Sequence, residues 1–191
     1  MNFATLGPAG SNHALVLSQY LQARGQYNAR IHLFDTFEAA FNALTQGKVD
    51  FVMQVTAHPT HSDCVGRYMH RAFPVDSFIA PSKPLGILTR RDVDTPQSIG
   101  IQPATRYYTD LSAWPTLVEE ATTVKVAEGL LAGHYDSGIT ALDVAHQYPD
   151  VLRVDLDLGP ALDTWVVFAT TRLSNDPILW PDAPIMQLLD Y

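Results

Sequence analysis

Cysteine is almost missing from the 191 residues: Cys64 stands alone, so no internal disulfide can form and nothing in the cysteine usage calls for an oxidising compartment. Basic residues are also scarce, 12 Lys and Arg against 20 Asp and Glu for a formal net charge of −8. Nucleic acid and anionic membrane surfaces both need a basic field, so neither is expected as a partner. A small anion is still allowed, because a few arginines inside one cleft can outweigh the mean charge. No uninterrupted apolar run approaches the roughly twenty residues that span a bilayer, and the N-terminus does not combine a basic stretch, an apolar core and a cleavage site. A soluble, cytoplasmic protein is expected.

Hydrophobic residues make up 47% of the chain and charged residues 17%, the composition of a globular protein. The length suits one ordinary domain or two small lobes sharing a cleft. The first thirteen residues set the pattern. A short apolar strand, Phe3 to Leu6, breaks at Gly7-Pro8-Ala9-Gly10, and Ser11 or Asn12 can cap a helix over Ala14 to Gln22. The free N–H groups of a helix start attract an anion, and a carboxylate suits them as well as a phosphate. The spacing completes neither a dinucleotide fingerprint nor a Walker loop.

Strand Ile31 to Phe34 follows, then a helix over Phe37 to Thr45 capped by Asp35 or Thr36, with Phe37, Ala40, Phe41 and Leu44 on one face, then the strand run Val49 to Val55. Strand and helix alternate as in a doubly wound α/β sheet, whose ligands sit beyond the strand ends, here at the polar stretch Thr56 to Ser62. Extended segments at Val75 to Ile79 and Leu85 to Thr89 carry the chain into a second lobe. There the rhythm restarts with strand Ser98 to Ile101, a helix over Ala104 to Ser112, an extended piece at Val118 to Ala121, a helix capped by Thr122 or Thr123 through Leu131, and strand Ser137 to Thr140. A short helix over Ala141 to His146 and a strand over Val151 to Val154 precede a β-prone run from Thr164 to Thr170. The remainder, with Pro177, Pro181 and Pro184, reads as a surface tail with a helical turn or two at Ile185 to Leu189.

His58, His61 and Cys64 gather metal-ligand residue types, but Pro59 breaks helical spacing and no second cluster appears, so no metal is expected. Arg106 follows strand Ser98 to Ile101 and the loop from Gln102, at the second lobe's sheet end. A guanidinium fork there could hold a carboxylate bidentately.

The turn Thr5-Leu6-Gly7-Pro8-Ala9-Gly10-Ser11 resembles the Leu-Gly-Pro-Glu-Gly-Thr opening of prephenate dehydratases. Asp35-Thr36-Phe37-Glu38 with Gly47-Lys48-Val49-Asp50-Phe51 is similar to that family's Ser-Phe-Glu helix and Gly-x-x-Asp-Tyr strand, and Asp163-Thr164-Trp165-Val166-Val167-Phe168 to its Thr-Arg-Phe strand. The resemblance implies a two-lobed fold like type II periplasmic binding proteins, with lobe one from about residues 1–75 and 160–191 and lobe two from about 76–159, a ligand cleft between them, and a homodimer. It also carries departures. The family's Pro-Ile-Glu-Asn-Ser is Val55-Thr56-Ala57-His58-Pro59 here, its loop His is Gln102, its substrate-holding Arg is Trp165, and no counterpart of its regulatory ACT domain is expected.

These losses resemble those of the prephenate decarboxylases of the bacilysin antibiotic pathway, which expel carbon dioxide without aromatising the ring. The implied function is a lyase acting on prephenate or a close cyclohexadienyl acid by non-aromatising decarboxylation, without metal or organic cofactor. The alternatives are dehydration to phenylpyruvate and a non-catalytic acid-binding module. The expected site has Gly7, Pro8, Ala9, Gly10 and Ser11 holding one carboxylate, Gln102 and Arg106 the other, Thr164 facing the ring, Trp165 packing, and Thr56 and His58 reaching the cleft, with His58 as proton donor.

Overall fold

The computed structural model describes residues 1–180 and 183–189; Pro181, in the expected tail, lies outside them. Among these residues ten strands form two five-stranded sheets. The first contains β1 (Asn2–Leu6), β2 (Arg30–Phe34), β3 (Phe51–Val55), β4 (Phe73–Pro81) and β10 (Leu162–Ala169), in the order β2-β1-β3-β10-β4. The second contains β5 (Leu85–Arg90), β6 (Ser98–Ile101), β7 (Thr116–Glu119), β8 (Ser137–Ala141) and β9 (Leu152–Gly159), in the order β7-β6-β8-β5-β9. In each sheet three parallel strands meet one antiparallel strand, β10 or β5, inserted before the edge. The chain crosses between sheets at 82–84 and again at 160–161, so the first sheet keeps it through Pro81 and not only to about residue 75.

The helices follow from caps and one-sided apolar faces. Ser11 caps α1 (Asn12–Ala23), Thr36 caps α2 (Phe37–Thr45) and Thr122 caps α4 (Thr123–Leu131), each side-chain oxygen accepting the N–H three residues on. Strand alternation then divides the first lobe's core. Ala4 and Leu6 of β1 pack with Phe37, Phe41 and Tyr68 on the α2 side, while Phe3 packs with Val16, Leu17 and Trp165 on the α1 side. Trp165 is fully buried, as expected.

Two elements depart from the sequence reading. The helix expected over Ala104 to Ser112 is one 3-10 turn, Pro103–Thr105. Gln102 accepts the Ala104 N–H at 2.7 Å to start that turn, but Tyr107 and Tyr108 beyond it are exposed, so no apolar face continues it. Conversely, α3 (His61–Tyr68) was not legible. Its buried residues are only Cys64 and Tyr68, one i,i+4 pair inside a polar stretch. Two short helices, α5 (Leu142–Gln147) and α6 (Met186–Leu189), complete the chain.

Tyr135 locks the second lobe. Its ring lies against Gly100 of β6 and Gly129 of α4, and its hydroxyl donates to the Val126 carbonyl at 2.8 Å. Helix propensity alone favours Gly129→Ala by about 1 kcal/mol. The added Cβ would collide with the Tyr135 hydroxyl, however, and overpacking costs about 1 to 3 kcal/mol. Urea unfolding of Gly129→Ala should therefore show a net loss of stability, and a stabilised variant would mean the ring is not seated there.

Candidate functional site

A cavity of about 250 Å3 lies between the two sheets. Its walls are mostly apolar, with Leu6, Val55, Leu85, Val124, Ala127 and Val144 contributing from both lobes. Two helix starts open onto it. Ser11, Asn12 and His13 come from α1, and Thr122, Thr123 and Val124 from α4. At α1 the Ser11 cap engages the Ala14 N–H at 3.2 Å, and at α4 the Thr122 cap engages the Lys125 N–H at 3.1 Å. In both helices the first two N–H groups lie above the cap and have no intrahelical acceptor, so the positive ends of two helix dipoles share one apolar space. Lys83, in the crossing segment, lines the same cavity, 3.4 Å from Asp143 of α5. No arginine lines it among the described residues.

Of the residues expected from sequence, Ala9, Gly10, Ser11, Gln102 and His58 line the cavity. Gly10 has φ +82°, a left-handed backbone that a side chain would strain. The Ser11 hydroxyl is committed to structure: it donates to the Leu6 carbonyl at 3.2 Å while accepting from Ala14, so it has no proton left for a ligand carboxylate.

The other expected residues do not line it. Gly7 donates its N–H to Phe34 at 2.8 Å, and a Cβ there would meet only ordinary contacts, so its glycine is not required by a close approach. Pro8, joined to Gly7 by a cis peptide, is exposed. Arg106 is half-exposed and pairs with Glu119 of β7 at 3.3 Å, because the single 3-10 turn directs it outward instead of carrying it along a helix. Thr56 and Thr164 are both exposed, joined by the Thr56 N–H to Thr164 carbonyl bond at 2.9 Å. The parity of β10 explains Thr164: Asp163, which lines the cavity, and Trp165, in the core under α1, share the opposite face of the strand.

Asp163, His13, Lys83 and Tyr108 line the cavity without having been singled out as site residues. Only His13 had a signal, sitting two residues past a helix cap at the opening turn. Its ring meets Phe37 and Trp165 edge-on at 5.4 Å each, and His58 at 6.1 Å. Its Nε2 is buried without a hydrogen-bond partner. Burial first, and the nearby His58 second, push its pKa down to about 3. His58 is lowered as well, by burial and then by His61. The Thr60 backbone N–H can only donate, at 3.2 Å, so His58 Nδ1 accepts and the neutral ring carries its proton on Nε2. His61 donates through Nδ1 to Gln54 Oε1 at 3.0 Å.

A paired architecture of this kind, two α/β lobes joined by two crossings around a ligand-sized cleft, is that of type II periplasmic-binding-protein-like folds. Solved structures with the same fold include a prephenate dehydratase from Arthrobacter aurescens in complex with L-Phe, 17% identical over 93% of this chain and 62% of that one with TM-score 0.66. They also include GqqA, a quorum-quenching acylase, 12% identical over 93% of this chain and 66% of that one with TM-score 0.51. A third is the periplasmic VFT2 domain of Bordetella pertussis BvgS, 17% identical over 89% of this chain and 80% of that one with TM-score 0.54. The chain thus spans about three fifths of the dehydratase's length. No family model and no curated protein matches the sequence. No helix among the described residues is long and apolar enough to cross a membrane.

Because the folded-state pKa of His13 is depressed, its contribution to stability is present above the ordinary histidine value and is lost as pH falls from about 6.5 toward 3. Unfolding measured at pH 7 and pH 4 should show the parent losing on the order of 2 kcal/mol more than His13→Phe. Equal losses would show that His13 titrates normally in the fold.

Proposed function

We propose that the cleft binds a small carboxylic acid with an apolar body, and that the chain is a cytoplasmic lyase acting on prephenate or a close cyclohexadienyl acid by non-aromatising decarboxylation, in a specialised-metabolite pathway and as a homodimer. One observation carries the binding half of this reading: two helix N-termini and Lys83 converge on a mostly apolar cavity between the lobes. The dipole ends suit carboxylates and the walls suit a hydrocarbon ring.

The choice of decarboxylation over dehydration rests on what the cleft lacks. The resemblance to dehydratases assigns dehydration to a threonine and the holding of a substrate carboxylate to the arginine after it. Here Thr164 is exposed outside the cavity and Trp165 is buried in the core. Loss of a hydroxyl needs an acid at that oxygen. Loss of carbon dioxide needs a poorly solvated carboxylate and a proton for carbon, and apolar walls favour the first of these by withholding water.

A second reading, binding without turnover, is favoured by the lowered pKa of both cleft histidines, which leaves neither as a charged acid at neutral pH. Incubation with prephenate separates the readings. Carbon dioxide release with a surviving diene absorbance is the expected result. Phenylpyruvate would mean dehydration, binding without product would mean a sensor or carrier, and no binding would overturn the small-acid reading.

Two substitutions test the source of anion affinity. Lys83→Met should weaken prephenate binding about tenfold, the loss of roughly 1.4 kcal/mol from one partly exposed charge. Arg106→Ala should leave the dissociation constant within about twofold, since its fork is turned toward Glu119. A strong effect at Arg106 with none at Lys83, read by calorimetry, would place the anion elsewhere.

A further inference from the structure

Asp163 is a carboxyl that the first sheet delivers to the cavity without a hydrogen-bond or ion-pair partner among the described residues. It stands near the start of β10, opposite Ala80 of β4, on the strand face shared with Trp165 and covered by α1. It is half-buried and lines the cavity. Burial alone pushes its carboxyl above the usual carboxylate range, with no hydrogen bond or ion pair opposing that shift.

The neighbouring titratable groups leave it distinct. His13 on α1 and His58 after β3 are both held toward the neutral form by burial. Lys83 and Asp143, facing from the crossing segment and α5, are close enough to offset each other's charge. Tyr108, from the second lobe, is a neutral phenol whose ionisation is opposed first by burial and then by Asp163 itself. A ligand carboxylate entering this space meets one uncompensated acidic group, and two carboxylates in a dry site cannot both stay ionised cheaply.

We infer that Asp163 is the proton-carrying group of the cleft, holding a proton when the acid ligand is bound and donating it to ring carbon as carbon dioxide leaves; this rests on the small-acid reading above. The step balances without any oxidant or reductant. The bond between ring carbon and carboxylate breaks, its electron pair shifts through the ring π-system, carbon dioxide departs, and the carbon at the far end of the shifted system takes the proton from the Asp163 carboxyl. Water returns a proton to Asp163, so one proton is consumed per turnover. Activity therefore falls as pH rises through the Asp163 pKa of the complex, which a bound anion raises further.

The test compares the parent with Asp163→Asn, which keeps the side chain's size and polarity but cannot carry the proton. Calorimetric titration with prephenate near pH 6, in two buffers of different ionisation enthalpy, reads proton uptake on binding. Carbon dioxide release reads turnover. The parent should take up a substantial fraction of a proton and the variant close to none, with affinity equal or tighter and turnover lower by about a hundredfold or more. Asp163→Glu should recover part of the turnover and the pH profile.

Unchanged proton uptake and turnover in Asp163→Asn would overturn the assignment. If the parent binds but does not turn over, proton uptake alone decides it. If prephenate does not bind, the small-acid reading fails. In that case side-chain carboxyl titration by carbon-13 NMR decides what is left of the assignment: an ordinary carboxylate pKa overturns it, and a raised one absent from the Asn variant upholds Asp163 as a carboxyl that keeps its proton in the cleft, while donation to prephenate carbon falls with the small-acid reading.

Discussion

The cleft depends on how the chain is braced where it passes between the two sheets. The Ser82 N–H donates to the Ala161 carbonyl at 2.7 Å, and the Ala161 N–H donates back to the Ser82 hydroxyl at 2.9 Å, so the outgoing and returning crossings are tied to each other. One residue on, the Lys83 N–H donates to the Asn12 side chain at 3.0 Å, which fixes the first turn of α1 to the same crossing. These three bonds set the second lobe against the start of α1. The α4 terminus shares a cavity with the α1 terminus only because that relation is held. Both crossings then run directly into inserted antiparallel strands, so each is anchored deep in its sheet and not at an edge.

The electrostatics of this space differ from what net composition suggests. On the proposed reading an acidic chain offers a site for an acid, and it would do so with little formal charge: Lys83 is largely matched by Asp143, no arginine is present among the described lining residues, and the two histidines favour their neutral forms. Attraction beyond that of Lys83 is left to backbone dipoles, which act at short range and are not neutralised by a neighbouring residue. For a reaction that discharges a carboxylate as neutral carbon dioxide, this has a kinetic sense. A guanidinium clamped on the departing group would stabilise the ground state more than the transition state, and uniform or ground-state binding does not raise kcat.

Much of the scaffold was legible in the chain because periodicity and caps report burial directly. The Phe37, Ala40, Phe41 and Leu44 stripe gave α2, and the run ending at Val55 gave β3, since each buries most of what it shows. Alpha3 escaped because two buried residues cannot make a periodic pattern, and the expected helix after Gln102 failed because a good cap does not substitute for an apolar face. The site was legible at its α1 end, where glycine and a cap residue mark the turn. It was not legible across the lobes, because which residues of a crossing or a strand face the cleft depends on parity and on a fold-wide brace. One step of alternation separates Asp163 from Thr164, and no local signal sets that step.

The same parity ties the chain's Trp165 departure from the dehydratase pattern to His13. The side chain at 165 leaves β10 toward α1, and Trp165 fills that direction completely, with its indole N–H at 3.4 Å from the Ala80 carbonyl and the His13 ring edge-on at 5.4 Å. An arginine at 165 in this backbone would bury a guanidinium against an imidazole that is already held neutral, with no carboxylate of its own, and an unpaired buried charge costs several kcal/mol. His13 in turn keeps an unpartnered Nε2 behind Trp165 and Phe37, and burial there holds the ring in its neutral form. Trp165 and His13 therefore form one apolar block behind the cleft wall, and exchanging either residue alone would leave the other in the wrong environment. The charge that an arginine would have supplied is absent from the cavity by construction, and Asp163, on the same strand face and two residues nearer the crossing, is left as the titratable group that β10 brings to the cavity.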